Sequence, residues 1–148
     1  MVKSFKFLGY RIDNKIFYSL EHKYILPIDG ITPQISLRKT KSELLEYLLK
    51  NGRKRVVTDN ELMTHVWDNN GLRSSSQRLW QVVKSVKLML TELGVSTDII
   101  IRVGANGYII NDAMVAEIFE SEDKESSLNV AKMILLTQEK IKPTSQIV

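Results

Sequence analysis

The chain has 148 residues, 43% of them hydrophobic and 26% charged, the balance of a globular chain with one main core and room for a small appendage. It holds no cysteine, which excludes disulfide frameworks and thiolate chemistry, and no apolar run approaches a signal-peptide core or the roughly 18 residues of a membrane span, so a cytoplasmic location is expected. Net charge is +4 but unevenly placed: five basic and three acidic residues precede Leu37, twelve and seven lie from Leu37 to Asn111, and four and seven follow.

The first third reads as strand. Phe5 to Leu8, Lys15 to Tyr18 and Tyr24 to Leu26 are short aromatic or β-branched runs parted by Gly9, Asp13-Asn14 and Asp29-Gly30, the pattern of a small antiparallel sheet. Ile31 to Ile35 is expected as its last edge, limited by Pro33. From Lys39 the period changes. Leu44, Leu45, Leu48 and Leu49 predict an amphipathic helix, with Asn51-Gly52 ending it where a left-handed residue is wanted. Thr58 with Glu61 three residues on predicts a capping box opening a second helix, buried through Leu62, Val66 and Trp67 and broken by Asp68-Asn69-Asn70-Gly71. A third helix opens in Ser74-Ser75-Ser76 and runs to about Leu93. Leu79, Val83, Val86 and Leu90 form its buried stripe, and from Arg73 to Lys87 there are four cations and no acid. Ile99 to Val103 and Tyr108 to Ile110, joined by Gly104-Ala105-Asn106-Gly107, predict a hairpin whose Asn-Gly supplies positive φ values.

The order sheet, three helices, hairpin defines an α+β winged helix-turn-helix in residues 1–111. Residues 112–148 are expected to be an acidic linker, Ser121 to Ser127, and a short C-terminal helix carrying Leu128, Ala131, Ile134 and Leu135 before Pro143. That helix is too short to stand alone and is expected to dock on the main domain or on a second copy as a homodimer element.

The chain resembles the OmpR/PhoB-type winged helix, within it the ToxR/CadC-like branch. The residues that carry the likeness are Leu37, Thr40 and Glu43-Leu44-Leu45; Thr58, Glu61-Leu62 and Val66-Trp67; Ser75-Ser76, Gln81, Val83, Val86-Lys87 and Leu90; and Val103 with Gly107-Tyr108. The resemblance implies a DNA-binding bacterial transcription regulator acting on double-stranded DNA as a dimer or tandem pair. Its third helix would lie in the major groove and its wing on the adjacent minor groove or backbone. Carried over by position, the groove candidates are Ser75, Ser76, Gln77, Arg78, Trp80, Gln81, Lys84, Ser85 and Lys87. Arg102, Asn106 and Tyr108 are the wing candidates. Gln pairs with adenine edges and Lys or Arg with guanine, while Ser and the helix start hold phosphate. Two positions have two readings: Trp80 stacks on the nucleic acid or leans into the core, and Tyr108 contacts the groove or packs in the hairpin. Gly104 and Ile109 stand where relatives often place cations, which implies a weaker wing. In such families the loop between the second and third helices, here Asp68 to Arg73, can touch RNA polymerase, which favours activation.

Neither a receiver domain nor the membrane span usual in the ToxR-like branch is found in the sequence, so either a free-standing cytoplasmic regulator or the cytoplasmic part of a longer one is expected. His22 and His65 lack partners at metal-ligand spacing, the glycines of the 104–107 turn do not lead from strand to helix as a nucleotide loop requires, and the serine run has no neighbouring base. No cofactor and no enzyme activity are expected. The rival to a DNA-binding regulator is a winged-helix module that binds a protein through the third or C-terminal helix.

Overall fold

The computed structural model describes residues 4–121. Its first sheet is antiparallel, in the order β4-β3-β2-β1-β8, from β1 (Phe5–Ile12), β2 (Ile16–Ser19), β3 (Tyr24–Pro27), β4 (Ile35–Ser36) and β8 (Val115–Ser121). Asp13 and Asn14 both take positive φ in the β1–β2 turn, a conformation these short polar side chains tolerate. β4 is shorter than the expected 31–35 edge for a local reason: the Asp29 carboxylate accepts hydrogen bonds from the Ile31 and Thr32 amides at 2.9 and 2.8 Å, diverting them from any ladder.

The boundary expected at Asn111 does not hold. After a 3-10 turn at Asp112–Met114, β8 pairs with β1 from Val115 opposite Ile12 to Ser121 opposite Phe5, with one bulge between Phe7 and Gly9. In the sequence Val115, Ile118 and Phe119 are hidden among Glu117 and Glu120, and the partner strand lies a hundred residues upstream. The acidic stretch from Glu122 and the predicted C-terminal helix lie outside the described residues.

The helices are α1 (Lys39–Asn51), α2 (Asp59–Val66) and α3 (Ser76–Glu92), and a second sheet has the order β5-β7-β6, from β5 (Val57–Thr58), β6 (Ile100–Val103) and β7 (Gly107–Ile110). One core joins the inner face of the first sheet, through Tyr10, Ile12, Ile16 and Tyr18, to the leucines of α1, to Leu62, Val66 and Trp67 of α2 and to the whole α3 stripe. Each buried aliphatic side chain contributes about 2 kcal/mol of transfer free energy. Gly52 departs from expectation, with φ −77° and ψ −9°. Its role is close approach: a Cβ would stand 2.8 Å from the Leu48 carbonyl oxygen and 3.3 Å from the Ile110 side chain, where the Ile110 amide donates to the Gly52 carbonyl at 2.8 Å.

Two cations of the Arg53-Lys54-Arg55 run are structural. Arg53 donates from Nε to the Leu49 carbonyl at 2.8 Å, pairs with Glu117 on β8 and lies over the Tyr10 ring at 5.3 Å, fixing the end of α1 to the first sheet. Arg55 meets Glu61, where four groups converge. Glu61 Oε1 accepts from Arg55 Nη1 at 2.6 Å and from the Thr58 amide at 2.9 Å; Oε2 accepts from Arg55 Nη2 at 3.0 Å and from the Tyr47 hydroxyl at 2.8 Å. The Glu61 amide returns to Thr58 Oγ1 at 3.1 Å, so the predicted capping box forms.

The Arg55 guanidinium, helped by Thr58 and Tyr47 and opposed by burial, lowers the Glu61 carboxyl from 4.5 to about 2. A carboxyl whose folded pKa is depressed contributes stability above its unfolded value, and that contribution fades as pH falls through the folded one. Urea unfolding should therefore show Glu61→Gln less stable than the native chain at neutral pH, with the gap closing between about pH 4.5 and about pH 2. A gap constant with pH would mean that the charge of Glu61 is not what matters.

Candidate nucleic-acid interface

α3 is built as a two-faced rod. Leu79, Val83, Val86 and Leu90 are buried, and at 100° per residue Gln77, Gln81, Lys84 and Leu88 form one outward row directly opposite. Trp80 and Lys87 flank that row on the side of the hairpin, Arg78 and Ser85 on the other. Gln77, Arg78, Trp80, Gln81 and Lys84 are exposed, while Ser85 and Lys87 are half-buried. Trp80 turns outward, 55% exposed, with the Lys84 ammonium 4.8 Å from its ring centroid, so its reading as a core residue is set aside. Leu88, 58% exposed, continues the row; it is absent from the sequence-derived candidates because leucine on an outer face looks like core.

The start of α3 is open to an anion. Ser75 is the N-cap and its hydroxyl oxygen accepts from the Arg78 amide at 3.1 Å, which leaves its O–H free to donate. Ser76 stands exposed beside it. The turn before it has a fixed shape: Gly71 is left-handed at φ 71°, the Asn70 amide group donates to Glu43 at 2.7 Å and to the Val66 carbonyl at 3.1 Å, and the Ser74 hydroxyl donates to Asp68 at 2.9 Å.

The hairpin is held more tightly than predicted. β7 pairs with β6 on one side and with β5 on the other, Val57 opposite Tyr108 and Thr58 opposite Gly107. A Cβ on Gly107 would fall 2.0 Å from the Val57 carbonyl oxygen, so this glycine serves close approach. Positive φ in the turn belongs to Gly104, at 52°, and not to Asn106. The Asn106 carbonyl accepts from the Asp59 amide at 3.0 Å, satisfying an orphan donor of α2, while the Asn106 side chain stands exposed at the tip.

Arg102 and Tyr108 differ from expectation. Arg102 makes a two-pronged pair with Asp59 at 2.6 and 3.0 Å and donates from Nε to the Gly104 carbonyl at 3.0 Å. Its pKa is raised, first by the Asp59 hydrogen bonds. Two of its five N–H groups thus brace the wing against α2, a third closes on the wing's own turn, and two remain. Tyr108 is 5% exposed under the Arg102 guanidinium, 4.8 Å from its ring centroid, so it packs in the hairpin at the floor of the wing. Asp59 gives no signal in the sequence, since its partner is 43 residues away.

A groove of about 640 Å³ runs between α3 and the wing, with Trp80, Lys84, Lys87 and Leu88 along one wall and Arg102 and Tyr108 on the other. Among the described residues, Arg73, Arg78, Lys84 and Lys87 make no ion pair, whereas Lys6, Lys23, Lys39, Arg53, Arg55 and Arg102 each pair with an acid. Other cations outside ion pairs, such as Arg11, Lys15 and Lys41, are scattered over other elements with acids near them in sequence. The set is distinguished by lying on α3 and the turn just before it with no acid between its members.

Residues 32–110, more than half of the chain, match the family model described as transcriptional regulatory protein, C terminal. The chain belongs to this family. Its winged helix is of the OmpR/PhoB type, and solved structures share the fold. The DNA-binding domain of E. coli CadC aligns with TM-score 0.60 at 16% identity, over 79% of this chain and all of that one. The DNA-binding domain of the response regulator AdeR, solved in complex with an intercistronic region, aligns with TM-score 0.55 at 18% identity, over 66% and 94%. The C-terminal domain of the nisin resistance regulator NsrR aligns with TM-score 0.51 at 20% identity, over 65% and 91%. No match was found among curated protein sequences. Among the described residues, no helix is long and apolar enough to cross a membrane and no group of side chains could hold a metal ion.

In this OmpR/PhoB-type domain the groove depends on the β5–β7 pairing, and that pairing on the missing side chain at position 107. Gly107→Ala should cost about 3 kcal/mol in denaturant unfolding, at the upper end of what overpacking does. Its signature should be faster hydrogen exchange at the Tyr108 and Ile110 amides than at those of β2. A stability within about 0.5 kcal/mol of the native value would show that β5 is dispensable.

Proposed function

We propose that the protein binds double-stranded DNA sequence-specifically and regulates transcription, reading the major groove with α3. The observation that carries this reading is the acid-free, unpaired set of cations formed by Arg73 in the turn before α3 and by Arg78, Lys84 and Lys87 on α3, whose outer row also offers Gln77 and Gln81. Charges of one sign gathered without partners favour an anionic ligand, and a duplex backbone presents one phosphate charge per about 1.7 Å. Gln77 and Gln81 supply the two-pronged amide that matches adenine, Arg78 the donors that match guanine, Lys84 and Lys87 the charges for flanking phosphates, and Leu88 and Trp80 apolar surface for a thymine methyl. Ser75, Ser76 and the free amides of the first turn of α3 position phosphate. The wing contributes Asn106 and the two remaining N–H groups of Arg102, a poorer electrostatic share than that of α3.

Regulation by activation is the finer reading. The 68–73 turn is exposed yet internally fixed, and its Leu72 is 48% exposed, a preformed apolar contact suited to RNA polymerase. Pairs of copies on repeated half-sites would supply the affinity a single small domain lacks. The rival reading, a winged helix that binds only protein, is disfavoured by the same cations, which a protein partner would have to match with acids.

Fragments selected from genomic DNA supply the probe. Affinity for such a fragment should fall steeply with salt, and the double variant Lys84→Ala with Lys87→Ala should flatten the slope of log K against log salt by about 2, one unit for each phosphate no longer neutralised. Binding that is absent or indifferent to salt would move the assignment to the protein-interaction module. On a promoter bearing the selected site, Leu72→Ser should lower transcription in vitro several-fold while leaving DNA affinity unchanged; equal transcription would remove the turn from any activating contact.

A further inference from the structure

The first sheet has two faces, and only one of them meets the helices. On the opposite face Phe17 and Ile28 are 2% and 4% exposed, with Leu8, Leu26 and Ile118 partly buried around them. These residues come from β1, β2, β3, β8 and the turn after β3, and no helix among the described residues contributes to the cluster. A phenylalanine on a bare sheet face keeps one side of its ring open to water. Phe17 does not.

A second observation lies on the same face. Ile118 and Glu120 are two apart on β8 and share a side of the sheet. Glu120 Oε1 is buried with no hydrogen-bond partner among the described residues, as is Ser121 Oγ where the strand ends. Polar atoms hidden from water without partners are rare and call for an explanation. Here both lie where the chain leaves the sheet.

We propose that residues 122–148 fold back across this outer face of their own sheet, laying Leu128, Ala131, Ile134 and Leu135 on Phe17, Leu26, Ile28 and Ile118. The dimensions fit. β8 and β3 are three strand spacings apart, about 14 Å, and the six residues Glu122 to Ser127 span up to about 20 Å when extended. A helix over residues 128–141 would be about 21 Å long, and the five strands together are about 19 Å across. Pro143 ends the helical pattern at that length. A tether of a few residues gives the segment an effective concentration in the millimolar range, which places it ahead of a second copy. Docked there, the segment closes a second small core on the side away from α3, leaves the proposed DNA-binding face uncovered and is itself unavailable as a dimer contact.

The absence of cysteine allows a single nitroxide label on the full chain through Asn129→Cys, a position off the apolar stripe. Amide signals of Phe17, Leu26 and Ile118 should lose most of their intensity to the label, while those of Trp80 and Lys84 keep theirs. Adding Leu135→Glu, which leaves the main core untouched, should restore the lost signals. In an equal mixture of labelled chain without nitrogen-15 and unlabelled chain with it, no broadening should occur. Full intensity at the outer face of the labelled chain, broadening that is also present in the mixture, or broadening that survives Leu135→Glu would each overturn the proposal; the second of these would assign the face to another copy.

Discussion

The contact on which the arrangement of this domain rests is the approach of β5 to β7 at Val57 and Gly107. A backbone carbonyl sits where any side chain at position 107 would begin, so the short strand ahead of α2 is part of the wing's own sheet. The wing therefore cannot move independently of α2. The Asn106 carbonyl on the Asp59 amide and the Arg102 guanidinium on the Asp59 carboxylate reinforce the same seam. α3 packs on α1 and α2 through its apolar stripe, so the spacing between its outer row and the wing is set by two backbones and not by a flexible hairpin. A groove of fixed width is what a duplex, itself stiff over this length, requires of a small reader.

The basic charge is divided by function. Arg53, Arg55, Arg102 and Lys23 are consumed in holding strands and helices together, each against a carboxylate at less than 3 Å. Lys23 with the Tyr18 hydroxyl converges on Glu46 in the manner that Arg55 and Tyr47 converge on Glu61. Half-exposed pairs of this kind add little stability singly; they fix orientation, and here they fix α1 and α2 under α3. The cations of the 73–87 segment have no such duty. Net charge alone cannot separate the two populations, because it is the partners that differ.

Much of this is legible in the sequence. The three helices, the Thr58 capping box, the Ser75 start and the α3 stripe all follow from local chemistry, in which cap, period and breaker lie within one helix of each other. What does not show are pairings over long distances. β8 reads as tail because its apolar residues alternate with glutamates, and an alternating strand needs its partner to be recognised. Arg102 reads as a DNA contact because Asp59, 43 residues earlier, cannot be seen to hold it. Gly52 and Gly107 read as turn glycines, yet both are glycines of proximity, where the constraint is a neighbouring backbone and not φ. Trp80 is ambiguous for the opposite reason: nothing in the helix itself decides on which side of the boundary between faces its ring falls.

β8 alters the meaning of the first sheet. Without it β1 would be an edge, with the unpaired amides and carbonyls that make edges liable to associate. With it β1 is paired on both sides, and the edge passes to β8. Arg53 then ties Glu117 to the end of α1, so the residues after the wing are coupled to the helices by a side chain that also touches Tyr10 of β1. Within the wing's own sheet β7 is paired on both sides, by β5 and by β6. A hairpin that would be marginal alone in water becomes a rigid part of the surface that α3 presents.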